Sequence, residues 1–227
     1  SSFESTVISL QSQANRTAGG ESRAISSSNA TRNADRDIFS VLLEADDLNA
    51  IKLADSLAVS STSTFIAFSS ALVVDLGGVA PVGVSTAQAG SVTTLVPDSV
   101  SPTLSSFGID LDDGLLNLTF SEAVRANTIV ITHLTLQNAA TAGVSHTLTG
   151  GSLTVAQNSV SLQVKMTVSD LNALKAALLA SSTSDTYLRF AGGMIADMNG
   201  NNVIAVTDGN AVQASSYGKD LTVPSLV

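Results

Sequence analysis

The sequence predicts an all-β protein built from tandem β-sandwich repeats, each with one short helix. Three observations lead to this fold class. Segments of the first half recur in order in the second half, apolar and polar residues alternate along several short stretches, and a helical pattern interrupts the alternation once in each copy. With 227 residues, of which 44% are hydrophobic, the chain can bury a core in each of two ordinary domains.

The internal repeat is visible as matching segments whose order is kept and whose offsets all lie between 122 and 126 residues. The matching pairs are Ile8–Gln11 with Leu134–Gln137, Ala45–Lys52 with 168–175, Phe65–Phe68 with Tyr187–Phe190, residues 75–78 with 197–200, and Asp98 with Asp220. Chance does not account for so regular a series. We therefore expect two copies of one folding unit.

These offsets predict three domains, at 1–97, 98–219 and 220–227. The first lacks its N-terminal strands, because residues 99–125 have no counterpart before Ile8. The second is complete, and the third is the start of a following repeat. Two interpretations remain: a window on a longer array, or a subunit whose missing strands come from a neighbour. The short segment 220–227 cannot replace the missing strands, which favours the longer array.

The second copy shows the pattern of a repeat most fully. Extended segments are expected at 101–110, on an edge of a sheet, and at 115–120, 130–137, 160–166, 187–190 and 211–217. A hairpin is expected from 146–148 and 153–155, around Gly150 and Gly151. Turn signals at 112–114 and between the other segments make this set of short strands typical of an immunoglobulin-like sandwich.

One helix is expected at 169–178, where the period changes. Ser169 or its neighbour can cap the helix, and Leu171, Leu174 and Leu178 fall on one face. This helix is expected to cover one end of the core.

Composition restricts the kind of partner and the chemistry. The net charge is −9, only 13% of residues are charged, and the lysines and arginines are scattered. A phosphate backbone or an anionic membrane needs a basic face, so we expect neither partner. Cysteine is absent, which excludes disulfides and thiol chemistry. No segment is long and apolar enough for a transmembrane helix.

No catalytic motif is found. The two histidines, His133 and His146, are thirteen residues apart in strand-like segments, and the Gly-x-Ser-x-Gly elbow and the Gly-x-x-x-x-Gly-Lys phosphate loop do not occur. The sequence therefore predicts a protein that is not an enzyme.

Acidic residues in turns suggest calcium sites. Asp197 and Asn199 begin a run with the alternating oxygen ligands of a calcium loop, but Asp208 stands where a bidentate Glu is expected. Turns capped by Asx side chains are the alternative interpretation. Under the calcium hypothesis, an inter-repeat site would also use Glu122. The candidate ligands are Asp98, Asp110, Asp112, Asp113, Asp197, Asn199 and Asp220.

Three sequons begin at Asn15, Asn29 and Asn117. In a eukaryotic source we expect a glycan on at least one of them. A chain this rich in Asn, Ser and Thr can also contain sequons by chance.

Residues 116–124 (LNLTFSEAV), the helix segment Asp-Leu-Asn-Ala-Leu-Lys and the later Asp-Met-Asn-Gly-Asn turn carry a family resemblance. The chain resembles bacterial-type Ig-like repeats of very large surface proteins and adhesins. It is also similar to repeats in giant secreted proteins of unicellular algae and other protists. The first copy departs from the pattern at residues 77–79. The resemblance implies extracellular work, structural or adhesive.

Taken together, these features predict a structural repeat segment of an extracellular filament, surface appendage or coat. Its partners would be copies of itself or neighbouring repeats, and calcium is a candidate ligand. The alternative is an adhesin or carbohydrate-binding module that contacts glycans or a cell surface. The alternative would need exposed aromatic residues, yet the chain has only two tyrosines and no tryptophan.

Overall fold

A computed structural model describes residues 8–27, 29–33, 38–75 and 77–223. The chain divides into two compact units, Ser1–Asp98 (unit 1) and Ser99–Val227 (unit 2). The described residues form four β-sheets and two short α-helices, so the chain is all-β, as predicted. Neither helix is long and apolar enough to cross a bilayer. Leu76 and residues 224–227, which entered the repeat prediction, lie outside the described ranges.

Unit 1 contains six described strands and one helix. They are β1 (Ile8–Gln11), β2 (Ser22–Ala24), β3 (Ala30–Arg32), β4 (Phe39–Val41), α1 (Ala45–Lys52), β5 (Phe65–Phe68) and β6 (Gly90–Ser91). One antiparallel sheet has the order β2-β1-β5-β6, and β3 pairs with β4 in a second, two-stranded sheet. A small core forms around Ile8, Ile25, Ile51 and Leu57.

Unit 2 contains nine described strands and one helix. They are β7 (Leu104–Asp110), β8 (Leu115–Val124), β9 (Leu134–Gln137), β10 (Ser145–Thr147), β11 (Gly151–Leu153), β12 (Ser159–Met166), α2 (Val168–Ala176), β13 (Tyr187–Phe190), β14 (Val212–Gln213) and β15 (Ser216–Gly218). A five-stranded sheet has the order β11-β12-β8-β7-β15, and a four-stranded sheet has the order β10-β9-β13-β14. All neighbours are antiparallel except β7 and β15, which are parallel.

The core of unit 2 draws on both of its sheets. Leu116 and Leu118 come from the five-stranded sheet, and Leu134 and Leu188 come from the four-stranded sheet; all four side chains are fully buried. The predicted alternation is confirmed in β8, where Leu116, Leu118 and Phe120 are buried, and the predicted turn follows β7. Strand β12 alternates in the same way, as expected for strands with one face in a core.

Several predicted elements are wrong in unit 2. Strand β7 is not an edge strand, because β15 pairs with it in parallel. Residues 130–133 are not part of a strand. Ile131–His133 is a 3₁₀ turn, in which the His133 N–H donates to the Val130 carbonyl at 3.0 Å.

The predicted hairpin around Gly150 is also wrong. Strand β10 pairs with β9, and β11 pairs with β12, so the chain crosses from one sheet to the other between them. The crossing places Leu148 in the core. Residues 211–217 likewise divide into β14 and β15, which belong to different sheets.

Helix α2 lies close to its predicted position but differs at both ends. Its N-cap is Thr167 rather than Ser169, and the Thr167 hydroxyl accepts the Asp170 N–H. Leu174 is fully buried on the inner face. Leu178 lies beyond the helix end with a φ of 53° and is 83% exposed. The helix therefore buries a shorter apolar stripe than predicted.

The two units repeat the same local structure. The sheet order β2-β1-β5-β6 of unit 1 corresponds to β10-β9-β13-β14 of unit 2. The Thr64 hydroxyl donates to the Ser60 carbonyl at 2.7 Å, and the Thr186 hydroxyl donates to the Ser182 carbonyl at 2.6 Å. Even the unusual backbone of Ala58 (φ 56°) recurs at Ala180 (φ 58°). Residues other than glycine rarely adopt this backbone conformation, so its recurrence reflects one shared backbone path.

Candidate functional site

The predicted calcium ligands at the end of β7 and just after it act as turn residues. The Asp110 carboxylate accepts the backbone N–H of Asp112 at 2.9 Å and that of Asp113 at 3.3 Å. The Asp112 carboxylate accepts the Leu221 N–H at 3.0 Å and the Thr222 hydroxyl at 2.9 Å. Asp113 is exposed, and its carbonyl accepts the Lys165 ammonium. These bonds tie the end of unit 2 to the turn after β7.

The second predicted calcium segment forms a turn around a buried carboxylate, with Asn199 and Gly200 exposed. Asp197 is fully buried, and its carboxylate accepts the N–H groups of Asn199 at 2.9 Å and Asn201 at 2.8 Å. Its carboxylate oxygen lies within 4.8 Å of one of Glu122, which is also buried. Asp208 takes no part in this turn, because it accepts from Gln137 Nε2 and the Ala142 N–H instead.

Asp98 and Asp220 occupy equivalent positions in their units. Lys52 of α1 pairs with Asp98 at 2.7 Å, and Lys175 of α2 pairs with Asp220 at 2.6 Å. The hydrogen bond from Lys175 lowers the pKa of Asp220. Calcium binding by these acids stays a prediction, which a melting curve with and without EDTA would measure.

All three sequon asparagines are exposed. Asn15 caps a 3₁₀ turn and accepts the Thr17 N–H and hydroxyl. Asn29 precedes β3. Asn117 lies in the middle of β8, where its side-chain carbonyl accepts from Gln163 Nε2 at 2.8 Å. Glycosylation stays a prediction at each position.

No protein-family model, curated protein or solved structure matched this chain.

The sequence did not reveal one polar site of unit 1, a buried and hydrogen-bonded carboxylate at the start of α1. Asp47 is only 7% exposed, and it accepts the backbone N–H groups of Ser26 at 2.9 Å and Ser27 at 2.6 Å, as well as both serine hydroxyls. Burial alone would raise the pKa of Asp47, but the hydrogen bonds from the two serines outweigh it and hold the pKa below its ordinary value. The helix is thereby fastened to the loop before β3.

Asp170 occupies the equivalent place in unit 2. It is fully buried at the third position of α2 and accepts the Thr149 N–H at 3.0 Å, the Thr149 and Thr167 hydroxyls, and a contact from His146 Nε2 at 2.9 Å. Burial opposes ionisation, yet the bonds from Thr167, His146 and Thr149 lower the pKa of Asp170. The run Thr167-Val168-Ser169-Asp170 resembles a capping box, which is the signal that could have revealed this site.

This arrangement fastens the chain and does not form a nucleophilic triad. In a triad the hydroxyl must contact the imidazole that removes its proton. Here the hydroxyls of Thr149 and Thr167 donate to the carboxylate of Asp170. The Asp170 carboxylate therefore accepts hydrogen bonds from donors around the start of α2.

A buried glutamine pair shows where the two units differ. Gln11 and Gln137 are each 1% exposed, and each amide donates to neighbouring carbonyls. The Gln137 side-chain carbonyl accepts from Arg189 Nε at 2.9 Å. Ala67 replaces the arginine in unit 1, and the Gln11 side-chain carbonyl has no partner there among the described residues. A surface cavity lies beside Ala67 and Thr86.

The parallel pair of β7 and β15 joins the two ends of unit 2. The register places Gly108 beside Ser216 and Asp110 beside Gly218. A Cβ atom on Gly108 would lie 2.1 Å from Ser216 Oγ, and one on Gly218 would lie 2.7 Å from Asp110 Cγ. Each glycine therefore makes room for the side chain opposite, which allows the strands to pair closely.

Proposed function

We propose that this chain is a segment of tandem immunoglobulin-like repeats in a long extracellular filament, surface appendage or coat, and that it does mechanical rather than catalytic work. The observation that carries the proposal is the recurrence of one scaffold in both units. The sheet order, the buried aspartate at the helix start and the lysine–aspartate pair after it occur in each. Repetition of one unit gives a chain length and regular spacing, which a filament requires.

The polar groups of the described residues support this function. Asp47, Asp170 and Asp197 are buried, and their oxygens are engaged by groups of their own unit. Such carboxylates stabilise turns and helix ends. They support a function that depends on the shape of the protein and its resistance to extension.

The topology of unit 2 also suits a load-bearing element. Strands β7 and β15 lie near the two ends of the unit and run parallel. A pull applied to both ends drives these strands past each other along their length. The hydrogen bonds of the pair, including Ser215 N–H to the Phe107 carbonyl at 2.8 Å and Leu111 N–H to the Gly218 carbonyl at 2.9 Å, are then loaded together.

Gold-labelled antibodies against this chain, applied to intact source cells and imaged by electron microscopy, test the proposal. We expect label outside the cell, spaced along filaments or over a continuous coat. Label that appears only after the cells are permeabilised, or only on dispersed soluble particles, would overturn the proposal. Antibodies against an abundant cytosolic protein serve as the permeability control.

A further inference from the structure

Unit 1 carries a set of apolar side chains that its own described residues cover only in part. They come from β1, β4, β5 and the adjoining segments, and they pack against the small core without being buried. We call this set the unit 1 apolar face: Leu10, Val41, Leu43, Ile66, Phe68 and Leu72.

The equivalent side chains of unit 2 are all buried. None of them is more than 3% exposed, and all belong to the core of that unit. In the same order they are Leu136, Val164, Met166, Leu188, Phe190 and Met194. Because the two sets occupy corresponding positions, the difference lies in what covers them.

In unit 2, the cover includes the β7–β8 hairpin. Phe107, Ile109, Leu116, Leu118 and Phe120 of this hairpin belong to the same core cluster as those six residues. Strand β8 also pairs with β12, placing Leu118 beside Leu162 and Leu116 beside Val164.

Unit 1 has no element of this kind among its described residues. Strand β4 corresponds to β12, yet the described sheet that contains it consists of β3 and β4 alone. Side chains of the size of Phe68 and Ile66 are stabilised by removal from water, so a half-covered face of this kind favours a partner.

We infer that the unit 1 apolar face binds a β-hairpin whose apolar side chains follow the pattern of Leu104–Val124. By the pairing of unit 2, the second strand of the hairpin lies antiparallel to β4. Its counterpart of Leu116 then faces Val41, and its counterpart of Leu118 faces Phe39. The apolar side chains of both strands cover the face, and main-chain hydrogen bonds extend the sheet.

The hairpin that binds this face is one whose apolar side chains are not already buried in a core of their own. A second copy of this chain would have to remove β7 and β8 from its own unit 2, which would expose side chains such as Leu116 and Leu118 that are fully buried there. The inference rests on the repeat architecture in the proposed function and not on where the protein is located. The microscopy described above and the binding experiment below can therefore fail separately.

The experiment uses the full chain and an added hairpin in two forms. One form is a synthetic peptide of residues 99–125, and the other is the same segment joined ahead of Ser1. Hydrogen exchange of β1 and β5 is followed by mass spectrometry. We expect exchange in these strands to slow by at least about tenfold in the joined form, because covering the apolar face suppresses local opening. The peptide is expected to produce a saturable slowing at the same strands.

The matched control carries Leu116→Asp and Leu118→Asp in the added segment only, and it should leave exchange in β1 and β5 unchanged. Two results would overturn the inference. One is unchanged exchange with both forms of the hairpin. The other is concentration-dependent dimerisation of the chain alone that protects β1 and β5, which would make a second copy the occupant.

Discussion

At the residue scale, one carboxylate holds the start of the helix in each unit while its donors differ. Asp47 accepts from two serines of the loop before β3. Asp170 accepts from threonines on both sides of β11 and β12 and contacts a histidine. The helix start fixes the position of the acceptor, and several kinds of loop can supply donors to it. Replacing the carboxylate should therefore destabilise the unit more than replacing any one of its donors.

Replacing Asp170 with Asn should destabilise unit 2 by about 2 kcal/mol, because buried donors lose a charged acceptor. The pH dependence follows from its lowered pKa. The folded state holds fewer protons than the unfolded state, so the stabilisation is present above the unfolded pKa of about 3.9 and is lost as the pH falls through the folded pKa. Urea unfolding between neutral and acidic pH measures this.

The control for that variant is Asp113→Asn, which removes the same charge from an exposed turn position. It should leave the free energy of unfolding nearly unchanged. If Asp170→Asn and Asp113→Asn show the same acid profile, Asp170 does not contribute to the pH dependence.

Restoring the missing arginine should stabilise unit 1. Ala67 corresponds to Arg189, and in Ala67→Arg the guanidinium can enter the neighbouring cavity and donate to the Gln11 side-chain carbonyl. A hydrogen bond from a charged donor to this buried acceptor should raise the free energy of unfolding by about 1 kcal/mol. Ala67→Lys is the matched control, because it adds the charge without a donor at the Nε position. Equal stabilisation by both variants, measured by urea unfolding, would contradict this explanation.

At the element scale, the pairing of β7 with β15 determines how unit 2 is closed. The two strands are more than a hundred residues apart in sequence and fit because Gly108 and Gly218 alternate with Ser216 and Asp110. Shifting the register by one residue would place each glycine beside a different partner and lose this fit. The pair is thus specified by side-chain volume as well as by backbone hydrogen bonds.

Gly108→Val should weaken this pair. The new side chain meets Ser216 in a buried strand, and overpacking of this kind costs about 1–3 kcal/mol. In single-molecule stretching, we expect the unfolding force of unit 2 to fall while that of unit 1 is unchanged. Gly90→Val is the control, because the nearest atom to a Cβ there is 3.9 Å away. An unaltered force for unit 2 in Gly108→Val would show that β7 and β15 do not bear the load.

At the scale of the whole molecule, the parts of the fold set by local pattern could be predicted, and the parts set by distant partners could not. Strand β12 was predictable because its side chains alternate between core and solvent. The separation of β10 from β11 was not, since each is three residues long and its sheet depends on the burial of Leu148. Likewise, nothing local in Ser216–Gly218 indicates a parallel partner at β7.

The residues of the candidate site also divide into those that the local sequence pattern predicts and those that depend on distant partners. The acidic turns at Asp110 and Asp197 were recognisable from Asx-rich sequence, and the structure shows the hydrogen bonds of such turns. The donors that surround Asp47 and Asp170 were not recognisable, because Ser27 and Thr149 reach these acids from loops about twenty residues away. The local sequence pattern identifies hydrogen-bond acceptors better than it identifies the donors that the tertiary fold brings to them.

Unit 1 should unfold at a lower urea concentration than unit 2. Its apolar cluster is smaller, and side chains such as Ile66 and Phe68 are only partly buried where Leu188 and Phe190 are fully buried. Less apolar area removed from water means less stabilisation. Hydrogen exchange at increasing urea, resolved by peptide, should show β1 and β5 opening before β9 and β13. The reverse order would contradict the difference in burial.

Because β7 and β15 close unit 2, the unit also stores chain length that is released when the two strands separate. The chain between Gly108 and Gly218 is folded away while the two strands stay paired. Once they separate, those residues can extend at about 3.3–3.6 Å each, so one event releases several hundred ångströms of slack. A filament made of such units would lengthen in discrete steps under load and dissipate the applied work as heat. A rigid filament would instead transmit the force.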